Sequence, residues 1–176
     1  MMRRRIVLLL ATVSALTVMG FGLAMGAHAQ GDVISSVKAV TARFNSLEQA
    51  KKAGYVPFYV CAEQPGVGTM GQHYVNFNLV GDPTVDPLQP EALVYEPQTN
   101  GTYKLVALEW VQVGPQVATA PTVLGHDMLY RPAPNRYGIT PGFYERHYWL
   151  YESNPLGAFE DWNPNVSCNG TGDNGG

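Results

Sequence analysis

Three ionisable residues stand out by their surroundings. His73 lies in Gln72-His73-Tyr74-Val75-Asn76-Phe77-Asn78-Leu79, where it shares a period-two face with Val75, Phe77 and Leu79. Glu109 shares such a face with Leu105, Ala107, Val111 and Val113, and His147, together with Glu145, shares one with Phe143, Trp149 and Tyr151. Successive strand residues point to opposite faces, so each group is directed to the apolar side of its own segment. A charge buried without a partner costs on the order of several kcal/mol, and three such faces are therefore expected to meet in one interior. Two imidazoles and one carboxylate form the ligand set of open zinc and non-haem iron sites, which would support Lewis-acid or oxygen chemistry on a divalent metal. The same groups also suit a hydrogen-bonded network without an ion, with Glu109 accepting from one or both imidazoles. His126 is a candidate fourth member, but Gly125 before it and Asp127 after it place it in a loop.

Other chemistry is poorly represented. Gly66, Gly68 and Gly71 have the GxGxxG spacing, with Glu91 beyond them, yet the residues that follow alternate like a strand. A dinucleotide site needs a helix N-terminus at that point, so a loop leading into a strand is expected. No Gly-x-Ser-x-Gly elbow occurs, and serine hydrolysis lacks a visible nucleophile. The sequons at Asn100, Asn165 and Asn169 are short enough to arise by chance and carry no functional reading.

The elements that must position the three groups are short and frequently interrupted, as 19 Gly and 13 Pro in 176 residues require. Helical spacing of Val33, Ile34, Val37 and Val40 predicts a helix over Val33 to Arg43. A second helix is expected from Leu47 to Ala53, with Asn45 as N-cap, Glu48 completing a capping-box-like pattern and Gly54 as its left-handed terminator. Six strands follow, at Tyr55 to Cys61, Gln72 to Val80, Glu91 to Glu96, Tyr103 to Val113, about Val123 to Tyr130, and Phe143 to Tyr151. Asn100-Gly101 marks a tight hairpin between the third and fourth. The connections Asp82 to Pro90 and Arg131 to Pro141 are long enough to fold over a barrel mouth. The expected fold class is α+β to mainly β: N-terminal helices packed on a curved antiparallel sheet or small β-barrel, with one disulfide.

Composition and charge fix the setting. At 45% hydrophobic, 11% aromatic and 14% charged, the chain is neither intrinsically disordered nor a charged coiled coil. Arg3, Arg4 and Arg5 precede an apolar run from Ile6 to about Met25, and Ala27-His28-Ala29 is a small-x-small cleavage pattern. The segment 1–29 therefore reads as a signal peptide and 30–168 as a single globular domain, with 169–176 expected to be a disordered tail. Three of the 11 basic residues precede the cleavage point, which leaves 8 against 14 acidic residues and a net charge of −6 with His neutral. Such a surface repels phosphate backbones, so no nucleic-acid partner is expected. No second apolar stretch approaches the roughly 20 residues that spanning needs, and a secreted or periplasmic location follows. Cys61 and Cys168 are the only cysteines, and an oxidising compartment favours their pairing over a two-Cys metal site, for which neither a CxxC spacing nor an adjacent His exists.

Several segments also carry a resemblance: NSLEQAKKAGYVP at 45–57, GTMGQHYVN at 68–76, DPLQPEALVYEP at 86–97, LVALEW at 105–110, PNRYG at 134–138, and the stretch from His147 to Cys168 that ends in FEDWNPNVSC. By these the chain resembles a group of secreted bacterial proteins of uncharacterised function, over most of its mature length. The resemblance implies that His73, Glu109, His147 and both cysteines belong to the group's signature and that His126 does not. It names no reaction.

The functional expectation is an extracytoplasmic domain binding a metal ion, zinc or iron, or a small ligand at His73, Glu109 and His147, with Tyr74, Glu145 and Trp149 as ligand-binding neighbours. Catalytic residues and enzyme status are left open. The alternatives are a non-enzymatic, aromatic-lined small-molecule binder, whose cavity rings include Tyr74, Phe143 and Trp149, and a cell-envelope interaction protein.

Overall fold

The computed structural model describes residues 21–170. Most of the expected signal segment and most of the expected tail lie outside the described residues. The described residues begin with helix α1 (Phe21–Thr41), which tightens into a 3₁₀ turn (Ala42–Asn45), followed by helix α2 (Leu47–Lys52). The buried stripe of this region is narrower than expected. Val37, Thr41 and Phe44 are buried, whereas Val33 and Val40 face solvent. Asn45 is consumed by the 3₁₀ turn, where its Nδ2 donates to the Ala42 carbonyl at 2.9 Å, so Ser46 takes the N-cap position of α2. Gly54 does adopt the left-handed conformation that ends α2, with φ of +96°.

Six strands build one antiparallel sheet. They are β1 (Val56–Gln64), β2 (Gly68–Val75), β3 (Ala92–Pro97), β4 (Tyr103–Val113), β7 (Leu129–Pro132) and β8 (Gly142–Tyr148), in the order β1-β2-β3-β4-β8-β7. The sheet curls strongly into a half-barrel, as a curved antiparallel sheet was expected to. The anticipated strand from Val123 to Tyr130 is broken instead into a small separate ribbon, β5 (Thr122–Val123) with β6 (His126–Asp127), and the edge strand β7. Leu124 and Gly125 both have positive φ in the turn between β5 and β6, a geometry that no continuous strand accommodates. Strand β2 also stops early. Asn76 Oδ1 accepts from the Asn78 backbone N–H at 3.1 Å and starts the short helix α3 (Phe77–Val80), so Phe77 and Leu79 do not continue the face of His73.

In the tight hairpin expected between β3 and β4, only one residue of Asn100-Gly101 has a positive φ. Gly101 N–H donates to the Gln98 carbonyl at 3.0 Å and only Gly101 is left-handed, so a type I turn with a glycine bulge connects the strands.

The sheet has two buried faces. On one, Tyr74, Leu93, Tyr95, Leu105, Leu108 and Trp110 pack with Val37, Phe44, Ala50 and Tyr55 from the N-terminal segment. Tyr95 Oη donates to the Phe44 carbonyl at 2.6 Å and Tyr55 Oη to the Pro90 carbonyl at 2.7 Å, so these large rings bury their hydroxyls satisfied. The other face carries His73, Val94, Ala107, Glu109 and His147. A register shift opposite Val94 and Tyr95 sets Leu105 on the helix-side face, so it is not the same-face neighbour of Glu109 that strict alternation predicts.

The Cys61–Cys168 disulfide is formed, with a Cα separation of 5.8 Å, and it ties the C-terminal segment to β1. Glu96 assists nearby, because its Oε1 accepts from the Ser167 backbone N–H at 2.9 Å.

Candidate metal centre

Strand pairing explains how the three groups meet. Glu109 on β4 stands directly opposite His147 on β8 and, on its other side, opposite Ala92 on β3. His73 on β2 stands opposite Val94, which in turn faces Ala107. In a flat sheet β2 and β8 would lie about 14 Å apart, three strand spacings. Here His73 Nε2 and His147 Nε2 are 3.1 Å apart, which only the concave side of a curled sheet permits. The small, fully buried side chains of Ala92 and Ala107 leave the floor between them low enough for the longer groups to lean together.

Gly71 fixes the approach of β2. It has φ of +97°, and a Cβ there would stand 2.8 Å from Val94 Cγ1 and 2.9 Å from the Tyr95 carbonyl oxygen. Only glycine fits at this bulge, which sets the path of β2 toward His73.

The cluster is tight and buried. His73, Glu109 and His147 are all buried, and His73 Nε2 lies 3.4 Å from Glu109 Oε2. One ligand atom from each of the three residues falls within 4.8 Å of the others. For bonds of about 2.0 to 2.2 Å at a tetrahedral ion, ligand atoms stand about 3.3 to 3.6 Å apart. The 3.4 Å edge matches one that a zinc-like ion would span, whereas the 3.1 Å edge between the imidazoles is a hydrogen-bond distance that would open slightly around an ion. His147 Nδ1 completes the test of fit: it is buried without a hydrogen-bond partner, 3.7 Å from Asp161 Oδ1 and 3.9 Å from Glu109 Oε1. With Nε2 as the ligating nitrogen, a small approach by Asp161 would satisfy this orphaned atom.

Electrostatics separates the two imidazoles. Burial, reinforced by the positive charges of His147 and Arg136, holds His73 down to about 3. For His147 burial also opposes the charge, but the carboxylates of Glu109, Asp161 and Glu145 outweigh it and raise it to about 9. Burial pushes the Glu109 carboxyl up to about 8; His147 opposes this, and Glu145 adds to it. Without metal, then, His73 is neutral and ready to ligate, while His147 and Glu109, each acting on the other, titrate as a pair whose protons an incoming cation would displace.

Two residues that support this arrangement escape a reading of strand periodicity. Asp161 is partly buried; its carboxyl is held below the usual range because His147 and Arg131 outweigh the cost of burial. Arg131 pairs with both Asp161 and Glu145, its Nε standing 2.5 Å from Glu145 Oε1. Asp161 lies in an irregular segment where no period applies, and its one sequence signal is its place inside the FEDWNPNVSC stretch.

The proposed ligand-binding neighbours fall in different places. Glu145 lines an apolar cavity of about 50 Å³ that opens onto His73 and Glu109, and Phe143 lines it too. Tyr74 does not, because it lies on the opposite face of β2, edge-on to Tyr95 at 5.3 Å. Trp149 does not line it either. It stacks behind His147, with ring centroids 6.4 Å apart, and its Nε1 donates to the Glu160 carbonyl at 2.6 Å. His126 stays out of the cluster and stacks on Phe159 at 3.7 Å. The Gly66 to Gly71 stretch turns from β1 into β2 with no helix after it, so no phosphate cradle forms. The long connection after β7 does fold over the cavity, through Tyr137 and Ile139.

No family model matches the chain, and no curated protein or solved structure is significantly similar to it.

Proposed function

We propose that this protein is an extracytoplasmic domain that binds a divalent transition metal, zinc or iron, through His73, Glu109 and His147. The observation that carries the reading is the convergence of three ligand atoms to within 4.8 Å in a buried site, although their residues come from β2, β4 and β8. Ligation through Nε2 would leave His147 Nδ1 facing Asp161 Oδ1 at 3.7 Å, the outer carboxylate partner that ligating histidines take. The location is supported by the disulfide, by the export pattern of the first 29 residues, and by the absence among the described residues of a helix long and apolar enough to cross a membrane. Membership of the secreted bacterial group that the chain resembles is part of the same proposal.

A second reading, a small-molecule binder whose ligand is oriented by the polar trio, is favoured by the apolar cavity above it. Elemental analysis of protein purified from its native compartment, followed by thermal unfolding with and without a chelator, separates the two. The metal reading expects one equivalent of zinc or iron and a midpoint lowered by several degrees, roughly, on chelation. A co-purifying organic molecule without metal favours the second reading, and a preparation with neither, which takes up no added metal and keeps its midpoint, hands the trio to the hydrogen-bonded network.

A further inference from the structure

We propose that the cavity beside the metal centre is the seat of an uncharged diatomic molecule of the dioxygen class, bound to ferrous iron held by His73, Glu109 and His147. The inference rests on the metal reading and deepens it, naming both the ion and the outside ligand of the same site.

Access to the ion is one-sided. His73 and Glu109 line the cavity, whereas His147 is buried behind them and does not reach it. An ion on these three groups meets free space only past His73 and Glu109, and three protein ligands leave it a position for an outside donor atom. Two imidazoles and one carboxylate with open positions are the donor set on which ferrous iron takes such ligands.

Size then selects the ligand. The cavity holds about 50 Å³, whereas an apolar cavity that takes up benzene has about 150 Å³. Rings and sugars do not fit, nor do the peptide or ester groups that a hydrolytic zinc site would have to admit. What remains is a molecule of two or three atoms.

The walls favour an apolar one. Beyond the two metal ligands they are built largely of hydrocarbon, from Phe58, Ala62, Val75, Val111 and Phe143. Glu145, the other carboxylate in the lining, is already paired with Arg131, whose Nε stands 2.5 Å from its Oε1. A water molecule settles where it has roughly two to four polar partners, and once the ion has engaged His73 and Glu109 few are left. An uncharged diatomic molecule needs only the ion and pays no desolvation penalty against apolar walls.

The outer wall is thin enough to admit it. Phe58 and Tyr59 pack on Tyr137 with ring centroids 5.6 and 5.2 Å apart, and Phe58 meets Phe77 at 5.6 Å. Tyr59 and Phe77 both line the cavity and are both exposed to solvent, so a layer about one ring deep separates the open side of the ion from water. Rotamer motion of exposed side chains is fast, and a brief displacement of one ring passes a diatomic molecule but no larger one.

The test loads the protein with ferrous iron in the absence of air and titrates it with nitric oxide. This uncharged diatomic molecule adds one unpaired electron to an integer-spin ion and makes the iron visible by paramagnetic resonance. Imidazole, an uncharged ring with a nitrogen donor, is the size control. The expected result is one half-integer-spin signal per bound iron that an excess of imidazole does not displace. Filling the cavity with Val111→Phe or Ala62→Leu should weaken nitric oxide binding about tenfold or more at unchanged iron content. The wild-type comparison decides the proposal even where a filled variant does not fold. Iron-loaded protein that gives no such signal, or that imidazole occupies as readily, overturns the diatomic seat and leaves the metal reading standing. Undiminished nitric oxide binding in both filled variants, or uptake of zinc but not of ferrous iron, does the same. Protein that takes up neither metal overturns both readings, and the iron and zinc contents measured on the same samples tell these failures apart.

Discussion

Replacing Glu109 by Gln tests the site through the proton that the metal-free protein stores there. Glu109 is 5% exposed, and burial pushes its carboxyl up to about 8 from an ordinary 4.5. At pH 6.5 the folded, metal-free protein thus carries a protonated Glu109, which Gln imitates in shape and in its ability to donate to Glu145. The variant should then lie within about 1 kcal/mol of wild type. A carboxyl whose folded value is raised binds more protons folded than unfolded between the two values, so stability falls as pH rises through that window. From pH 6.5 to 8 the loss at Glu109 amounts to about 2 kcal/mol, at 1.36 kcal/mol per unit of pH. Gln does not titrate and escapes this loss. His147, raised to about 9 in part by the Glu109 carboxylate, loses stability above its unfolded 6.5, and in the variant part of that shift goes with the carboxylate, so the two groups are read as one coupled titration. Urea unfolding in the presence of a chelator at pH 6.5 and pH 8 measures the difference, with Glu63→Gln as an exposed control. The expected outcome is a Glu109→Gln variant that gains about 2 kcal/mol on wild type between the two pH values. A constant difference would mean that Glu109 titrates as an ordinary carboxyl, and the buried acid would have to be abandoned. Glu96 would serve poorly as the control, since it holds the Ser167 backbone.

Gly71→Ala should destabilise the protein by about 1 to 3 kcal/mol, because the added methyl meets Val94 and the Tyr95 carbonyl and φ is left-handed; an unfolding midpoint equal to wild type would contradict the bulge. Exported protein should contain no free thiol, and Cys61→Ser with Cys168→Ser should cost up to about 4.7 kcal/mol by the loop-entropy argument; two titratable thiols in unreduced, denatured protein would remove the staple. Intact mass of the exported protein should place its N-terminus at Gln30, and a mass retaining the first 29 residues would show an uncleaved signal.

Much of the site was legible because alternation along a strand is a local property. The face that His73, Glu109 and His147 point to follows from their immediate neighbours, and β4 occupies the range Tyr103–Val113 that its pattern predicts. The pairing of two cysteines needed no geometry beyond their being the only two. Where a short-range feature broke the alternation, the reading failed: the Asn76 cap ends β2 before Phe77, and the bulge near Val94 moves Leu105 to the other face. Tyr74, chosen as a ligand neighbour, points away from the cavity because it is one residue from His73, and a shift of one residue reverses the face.

What no local pattern contains is the sheet order and its curl. Glu109 meets His147 because β8 inserts between β4 and β7, and His73 reaches them across β3 because the sheet bends. Asp161 and Arg131 arrive from an irregular segment and an edge strand, through an ion pair linking residues 30 positions apart. Periodicity sets the side to which a residue points, since that depends on two or three neighbours along the chain. Which residues meet on that side depends on how the whole sheet packs and bends, and this was decided only by the tertiary structure.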